Sequence, residues 1–188
     1  MDTTLTPRDA LLVVDVQYDF LPGGALPVPD GDAVVPVLNR WLAAARTGGA
    51  LVCASRDWHP PHHVSFRERG GPWPSHCVQG THGAAFPPEL ALPPDAVIID
   101  KGTDPDRDAY SAFQGRPDLA ALLRERRVTR LYVGGLALDY CVKASVLDGL
   151  GAGFEVHLIR DATRAVDVQP GDGERALAEL RAAGAVIE

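Results

Sequence analysis

The run Val128-Thr129-Arg130-Leu131-Tyr132-Val133-Gly134-Gly135-Leu136-Ala137-Leu138-Asp139-Tyr140-Cys141-Val142 decides how the chain is read. Its first six residues are β-branched and apolar enough for a buried strand, and Lys143 to Leu150 has helical spacing that stops at Gly149 and Gly151. A strand therefore ends in glycines, and a cysteine stands where the next helix begins. A helix N-terminus presents free N–H groups and a partial positive charge. Both favour the reactive thiolate, and the same N–H groups can hold the oxyanion formed when a carbonyl is attacked. A small buried residue that packs a helix onto a sheet would occupy the same place.

Working outward, Ala10 to Val16 is an apolar run broken only by Asp15 and reads as a strand buried on both faces. Leu51–Ser55, Val97–Asp100, Phe154–Ile159 and Ala185–Ile187 read as further strands. Helices are expected from about Ala33 to Arg46, with Asp30 or Asp32 as cap and Gly48 and Gly49 as stop, and over Asp118–Arg127 and Asp172–Ala183. Strands that alternate with helices call for a three-layer α/β/α sandwich around a mostly parallel, six-stranded sheet. Residues 1–188 then form one domain. The Pro-, Gly- and His-rich stretch from about 56 to 94 is too long for an idle loop and reads as a binding loop or lid.

Composition narrows the partners. Hydrophobic residues make up 46% and charged residues 23%, as in a globular protein, and the net charge of −7 argues against a nucleic-acid or anionic-membrane surface. No apolar run approaches the ~20 residues of a membrane span. Met1 to Arg8 lacks the pattern of a signal peptide, and three cysteines are too few and too odd for a disulfide framework, so the cytoplasm is the expected compartment.

In open parallel sheets, ligands bind beyond the carboxyl ends of the strands. Those ends deliver Asp15, then Arg56-Asp57-Trp58-His59, then Asp100-Lys101-Gly102, then the loop before Cys141. An acid, a lysine and a cysteine reach one rim from three strands, which is what an activated cysteine nucleophile needs. Taken singly, Asp15 could cap a turn and Lys101 could be a solvated strand end. A second cluster is Asp57-Trp58-His59-Pro60-Pro61-His62-His63, with Trp73-Pro74-Ser75-His76-Cys77 after it; five of the six histidines lie between His59 and His82. An Asp and a His two apart on an extended segment point the same way, and a third imidazole closes a facial set for Zn²⁺, Fe²⁺ or Mn²⁺. His157, inside a strand, reads as a satisfied structural histidine.

Asp15…Phe20, Asp57-Trp58-His59-Pro60, Trp73-Pro74-Ser75-His76-Cys77-Val78-Gln79-Gly80-Thr81, Lys101-Gly102 and Gly135-Leu-Ala-Leu-Asp-Tyr-Cys-Val142 together resemble the nicotinamidase/pyrazinamidase branch of the isochorismatase-like cysteine hydrolases, over nearly the whole chain. The resemblance implies that nicotinamide, and pyrazinamide with it, is hydrolysed through a cysteine thioester on a Rossmann-like fold. It implies Asp15 as general base and acid, Lys101 as electrostatic partner and Cys141 as nucleophile. A cis peptide at Leu136–Ala137 would turn the Ala137 N–H beside that of Cys141 as the oxyanion hole. Asp57, His59 and His76 would hold one divalent metal, zinc before iron or manganese, with His63 as an optional further ligand. Phe20, Leu26, Trp73 and Tyr110 would line the pyridine pocket. Ser75 and Leu138 depart from the family pattern, where Asp and Thr are frequent. Two rivals follow: the same chemistry on another small amide or carbamoyl compound, and a redox or metal-binding protein using Cys53, Cys77 and Cys141. Whether the chain forms a homo-oligomer is left open by the residues.

Overall fold

A computed structural model describes residues 4–188. The reading of Met1–Arg8 therefore falls in part, at residues 1–3, outside the described residues. Six strands, β1 (Asp9–Val14), β2 (Leu51–Asp57), β3 (Val97–Lys101), β4 (Arg130–Leu136), β5 (Glu155–Arg164) and β6 (Val186–Ile187), form one sheet in the order β3-β2-β1-β4-β5-β6. Every pairing is parallel. The chain winds outward from β1 to β3, then restarts on the other side of β1 with β4. The topological switch thus lies between β1 and β4, where a doubly wound sheet opens its crevice.

Each face of the sheet has its own core. Leu11 and Val13 of β1 pack with Val34, Leu38, Leu42 and Ala45 of α1 (Val34–Gly48). Ala10, Leu12 and Val14 pack on the other face with α2 (Leu119–Glu125), α3 (Lys143–Gly151) and α4 (Asp172–Ala182), through Leu123, Val146 and Leu177 among others. All six β1 residues are buried, which is why the strand carries no polar alternation. Among the described residues one α-helix covers the first face; Phe20, Leu21, Val28, Ala84 and Leu90 from the long loops complete it. Among the described residues no helix is long and apolar enough to cross a membrane.

Several boundaries differ from the sequence reading for identifiable reasons. β1 stops at Val14 because Asp15 turns left-handed, with φ +50°. β2 continues to Asp57 because Arg56 and Asp57 pair with Asp100 and Lys101. β5 runs on to Arg164 past a register shift opposite Val133–Gly135. Neither Asp30 nor Asp32 caps α1: a 3₁₀ turn over Gly31–Ala33 leads into the helix and Ala33 holds the cap position without a side-chain bond. The stop is as expected, with Gly49 at φ +71° donating its N–H to Ala45 O. His157 is held between Glu155 and Glu188 at 2.7 and 2.6 Å, a structural role.

Candidate active site

Asp15 follows β1 directly, and its side chain enters the crevice where the strand's backbone turns away. The Ser55 hydroxyl, on the neighbouring strand, donates to Asp15 Oδ1 at 2.7 Å, leaving Oδ2 2.9 Å from Lys101 Nζ. Lys101 ends β3 and is fully buried, yet its ammonium also lies 2.5 Å from Asp57 Oδ1 and 3.4 Å from Cys141 Sγ. Burial opposes that charge, but Asp15 and Asp57 outweigh it and raise Lys101 well above its ordinary value, so the ammonium persists. Asp15 moves upward too: burial, helped by the Asp57 charge, outweighs the Lys101 attraction.

Cys141 sits in a wide π-helical turn, Leu138–Val142, that precedes α3, not in the helix's own first turn. Ser145 Oγ donates back to the Cys141 carbonyl at 2.7 Å and accepts the Ala112 N–H, tying turn, helix and the loop before α2 together. The pull of a helix end towards the thiolate is opposed here. Burial first, and then the Asp15 and Asp57 charges and a bond to Asp15, lift the thiol well above its ordinary value against the pull of Lys101. These effects favour the thiol over the thiolate. Leu136–Ala137 is cis.

Next to this triad stands the imidazole cluster. Asp57 ends β2, His59 follows it in a bridge to Val78, and His76 comes from the loop. Asp57 Oδ2 lies 3.5 Å from His59 Nε2 and 3.8 Å from His76 Nε2, and one donor atom from each of the three lies within 4.8 Å of the others. His59 Nδ1 contacts Gly102 O at 2.9 Å and His76 Nδ1 contacts Pro74 O at 2.8 Å. A carbonyl can only accept, so each Nδ1 carries a proton. In the neutral ring Nε2 then presents a lone pair, and burial lowers His76 to favour that neutral form despite the Asp57 charge. Two lone pairs and a carboxylate oxygen thus converge on one point, a donor set that suits a divalent cation, with carbonyl-anchored imidazoles of the kind metal sites use. Burial opposes the Asp57 charge, but the Lys101 ammonium, first among the attractions on it, holds its carboxyl below the usual range. His63 stays outside this set. It stacks on His59 with ring centroids 4.1 Å apart, and its own nitrogens are engaged by Ser65 Oγ at 2.7 Å and Arg107 O at 3.1 Å.

Residues 9–188 match the isochorismatase domain family. The chain is 43% identical to the nicotinamidase of Escherichia coli, covering 96% of this chain and 94% of that one. Among solved structures it superimposes on the pyrazinamidase of Pyrococcus horikoshii in complex with zinc with a TM-score of 0.92 and 54% identity, over 97% of this chain and 99% of that one. The PnC1 protein of L. infantum, solved with nicotinate, gives 0.89 and 37%, over 99% and 95%. The chain belongs to the isochorismatase family, in its nicotinamidase/pyrazinamidase branch. Its three cysteines are free and buried, so the redox alternative finds no accessible thiol pair.

Beyond the triad and the imidazoles, this nicotinamidase-branch site has an aromatic wall. Trp73 Nε1 donates to Tyr110 Oη at 3.1 Å, and Tyr140 meets Trp73 edge-on at 5.0 Å and Tyr110 at 5.8 Å between ring centroids. Burial pushes Tyr110 up to about 12, keeping it a neutral phenol. Phe20 lies 5.6 Å from the His76 ring, and Leu26 packs on the core beside it. The sequence reading missed Tyr140, although it adjoins Cys141. It also missed Ser55, whose only signal was a hydroxyl in an otherwise apolar strand. Of the two departures from the family pattern, Ser75 is exposed, while Leu138 is buried in the same core as Cys141 and Val142.

Proposed function

We propose that this protein hydrolyses nicotinamide to nicotinate and ammonia, and pyrazinamide likewise, from one hydrolase domain whose loop 56–94 carries the metal-binding histidines. One observation carries the reading: Asp57 gives one oxygen to Lys101 and the other to the His59 and His76 nitrogens. The imidazole cluster and the nucleophile are therefore joined through Asp57 and Lys101, as needed to anchor one end of a small ring while its carboxamide meets the thiol. Asp57, His59 and His76 would hold one divalent ion, zinc before iron or manganese, which when bound supplies an anchor for the ring nitrogen. Trp73, Tyr110 and Tyr140 offer flat apolar surface to the ring and exclude water.

In the reaction, Asp15 takes the Cys141 proton and sulfur attacks the amide carbon, forming a C–S bond. Lys101 stays protonated and offsets the negative charge that Asp15 gives up and sulfur acquires. The oxyanion is assigned to the Ala137 and Cys141 amides, where losing one donor typically costs about 100-fold or more. Asp15 returns its proton to the departing nitrogen as the C–N bond breaks and ammonia leaves. It then takes a proton from water, whose attack on the thioester breaks the C–S bond, releases nicotinate and restores the thiol. The free cysteines suit a reducing cytoplasm.

Cys141→Ala tests this directly: ammonia release from nicotinamide falls to background while metal content is unchanged. Substantial remaining turnover rules out the nucleophile. Wild-type protein that releases ammonia only from some other amide or carbamoyl compound rules out the substrate.

A further inference from the structure

Asp15, Gln17 and Asp19 alternate along the segment that leaves β1, and each grips a different part of the site. Gln17 is fully buried. Its Nε2 donates to Asp57 O at 2.8 Å and Ala84 O at 3.0 Å, while its Oε1 accepts the Asp57 N–H at 2.8 Å. Both backbone groups of Asp57 are thus satisfied by one side-chain amide, which continues the β-ladder at the level where β1 has already turned away. Asp19 Oδ2 accepts the Cys77 N–H at 2.7 Å, and Oδ1 accepts the Ala25 N–H at 3.2 Å. Cys77 is a left-handed residue at φ +45° directly after His76, and its carbonyl accepts the His59 N–H at 3.0 Å. Asp19 therefore fixes a residue whose backbone is tied to both imidazoles, to His76 by covalent succession and to His59 by a backbone bond.

We infer that Gln17 and Asp19 are positioning residues for the imidazole cage, setting where Asp57, His59 and His76 stand relative to Asp15. The base and the cage are registered by one five-residue segment. Neither residue touches the sulfur or the donor atoms, so both act through the backbone. The inference rests on reading the cage as a metal site, and partners of this kind typically contribute about 10- to 100-fold in metal affinity.

Gln17→Met, Asp19→Ala and Asp19→Asn test it, with Zn²⁺ affinity read by chelator competition, the visible spectrum of Co²⁺-loaded protein, and Cys141 alkylation by iodoacetamide. Gln17→Met and Asp19→Ala are expected to weaken Zn²⁺ binding about 10- to 100-fold and to alter the Co²⁺ spectrum. Asp19→Asn recovers part of the affinity because it keeps an oxygen for the Cys77 N–H, and alkylation in the Asp19 variants stays at the wild-type rate. An Asp19→Ala protein that is folded by circular dichroism, binds Zn²⁺ as wild type does and keeps the Co²⁺ spectrum overturns the inference; the Asp19 pair decides if Gln17→Met does not fold. Wild-type protein that binds neither ion overturns it as well. None of these readouts uses nicotinamide, so failure of the proposed substrate is seen separately, in the ammonia assay.

Discussion

Ser55→Ala isolates the base. The hydroxyl donates to Asp15 Oδ1 at 2.7 Å in a fully buried setting, and a bond to the carboxylate stabilises its charged form. Hydrogen bonds to charged groups contribute about 1.5–3 kcal/mol, and ~1.4 kcal/mol corresponds to one pH unit, so about one to two units are at stake. Asp15 already stands above the ordinary carboxylate range because burial outweighs Lys101, and losing the hydroxyl moves it further up. The reaction needs Asp15 ionised to accept the thiol proton, so kcat/KM rises with pH as Asp15 loses its proton. The variant's rising limb is therefore expected about one to two units higher, with activity above the limb little changed. Cys141 Sγ lies within 4.8 Å of an Asp15 oxygen, so the limb reports the pair rather than one residue. Ammonia release from nicotinamide across a pH series, with variant and wild type side by side, measures the displacement. A limb that stays in place, or moves to lower pH, refutes Asp15 as the base held by Ser55.

Two further outcomes follow from the geometry. A Cβ on Gly102, at φ +62°, would stand 2.4 Å from His59 Cε1, and that ring is buried and stacked on His63. Gly102→Ala is expected to weaken Zn²⁺ binding about tenfold or more in a chelator competition, and an unchanged affinity argues against the role of His59. At the far end of β1, Asp9 accepts from Thr6 and Arg130 at 2.7–3.0 Å; burial opposes its charge, but these bonds win and hold its carboxyl below the usual value. A depressed carboxylate contributes stability above its unfolded value near 3.9, and that contribution is lost as pH falls through the lower folded value. Asp9→Asn should cost about 2 kcal/mol at pH 7, and the gap should close in urea titrations towards pH 3; a gap equally wide at both pH values contradicts the assignment.

The fold was legible because its central strands β1 and β4 are buried on both faces and so read as apolar runs, and because Gly49 and Gly151 stand where the helical spacing stops. What was not legible lay at the strand ends. Val16 is as apolar as Val14, and nothing local marks Asp15 as the residue that turns left-handed. Arg56 and Asp57 look like loop residues until Asp100 and Lys101 pair with them across sequence. These are long-range facts, and a period-two pattern carries only local ones.

The site shows the same division with a sharper consequence. Asp15, Lys101 and Cys141 could be drawn to one rim because topology alone sends strand ends there. The protonation state could not be drawn that way. A helix N-terminus favours a thiolate, but it contributes only a partial charge, whereas full burial and two carboxylates act on the same sulfur. With the thiol favoured at rest, the proton must be removed when substrate arrives, and the group that can do so is the one whose own ionisation burial has made less favourable. A base raised by its surroundings takes a proton more readily than an ordinary carboxylate. The same desolvation that disfavours the thiolate therefore strengthens its acceptor, and Lys101, between the two, keeps the pair from holding two uncompensated charges at once.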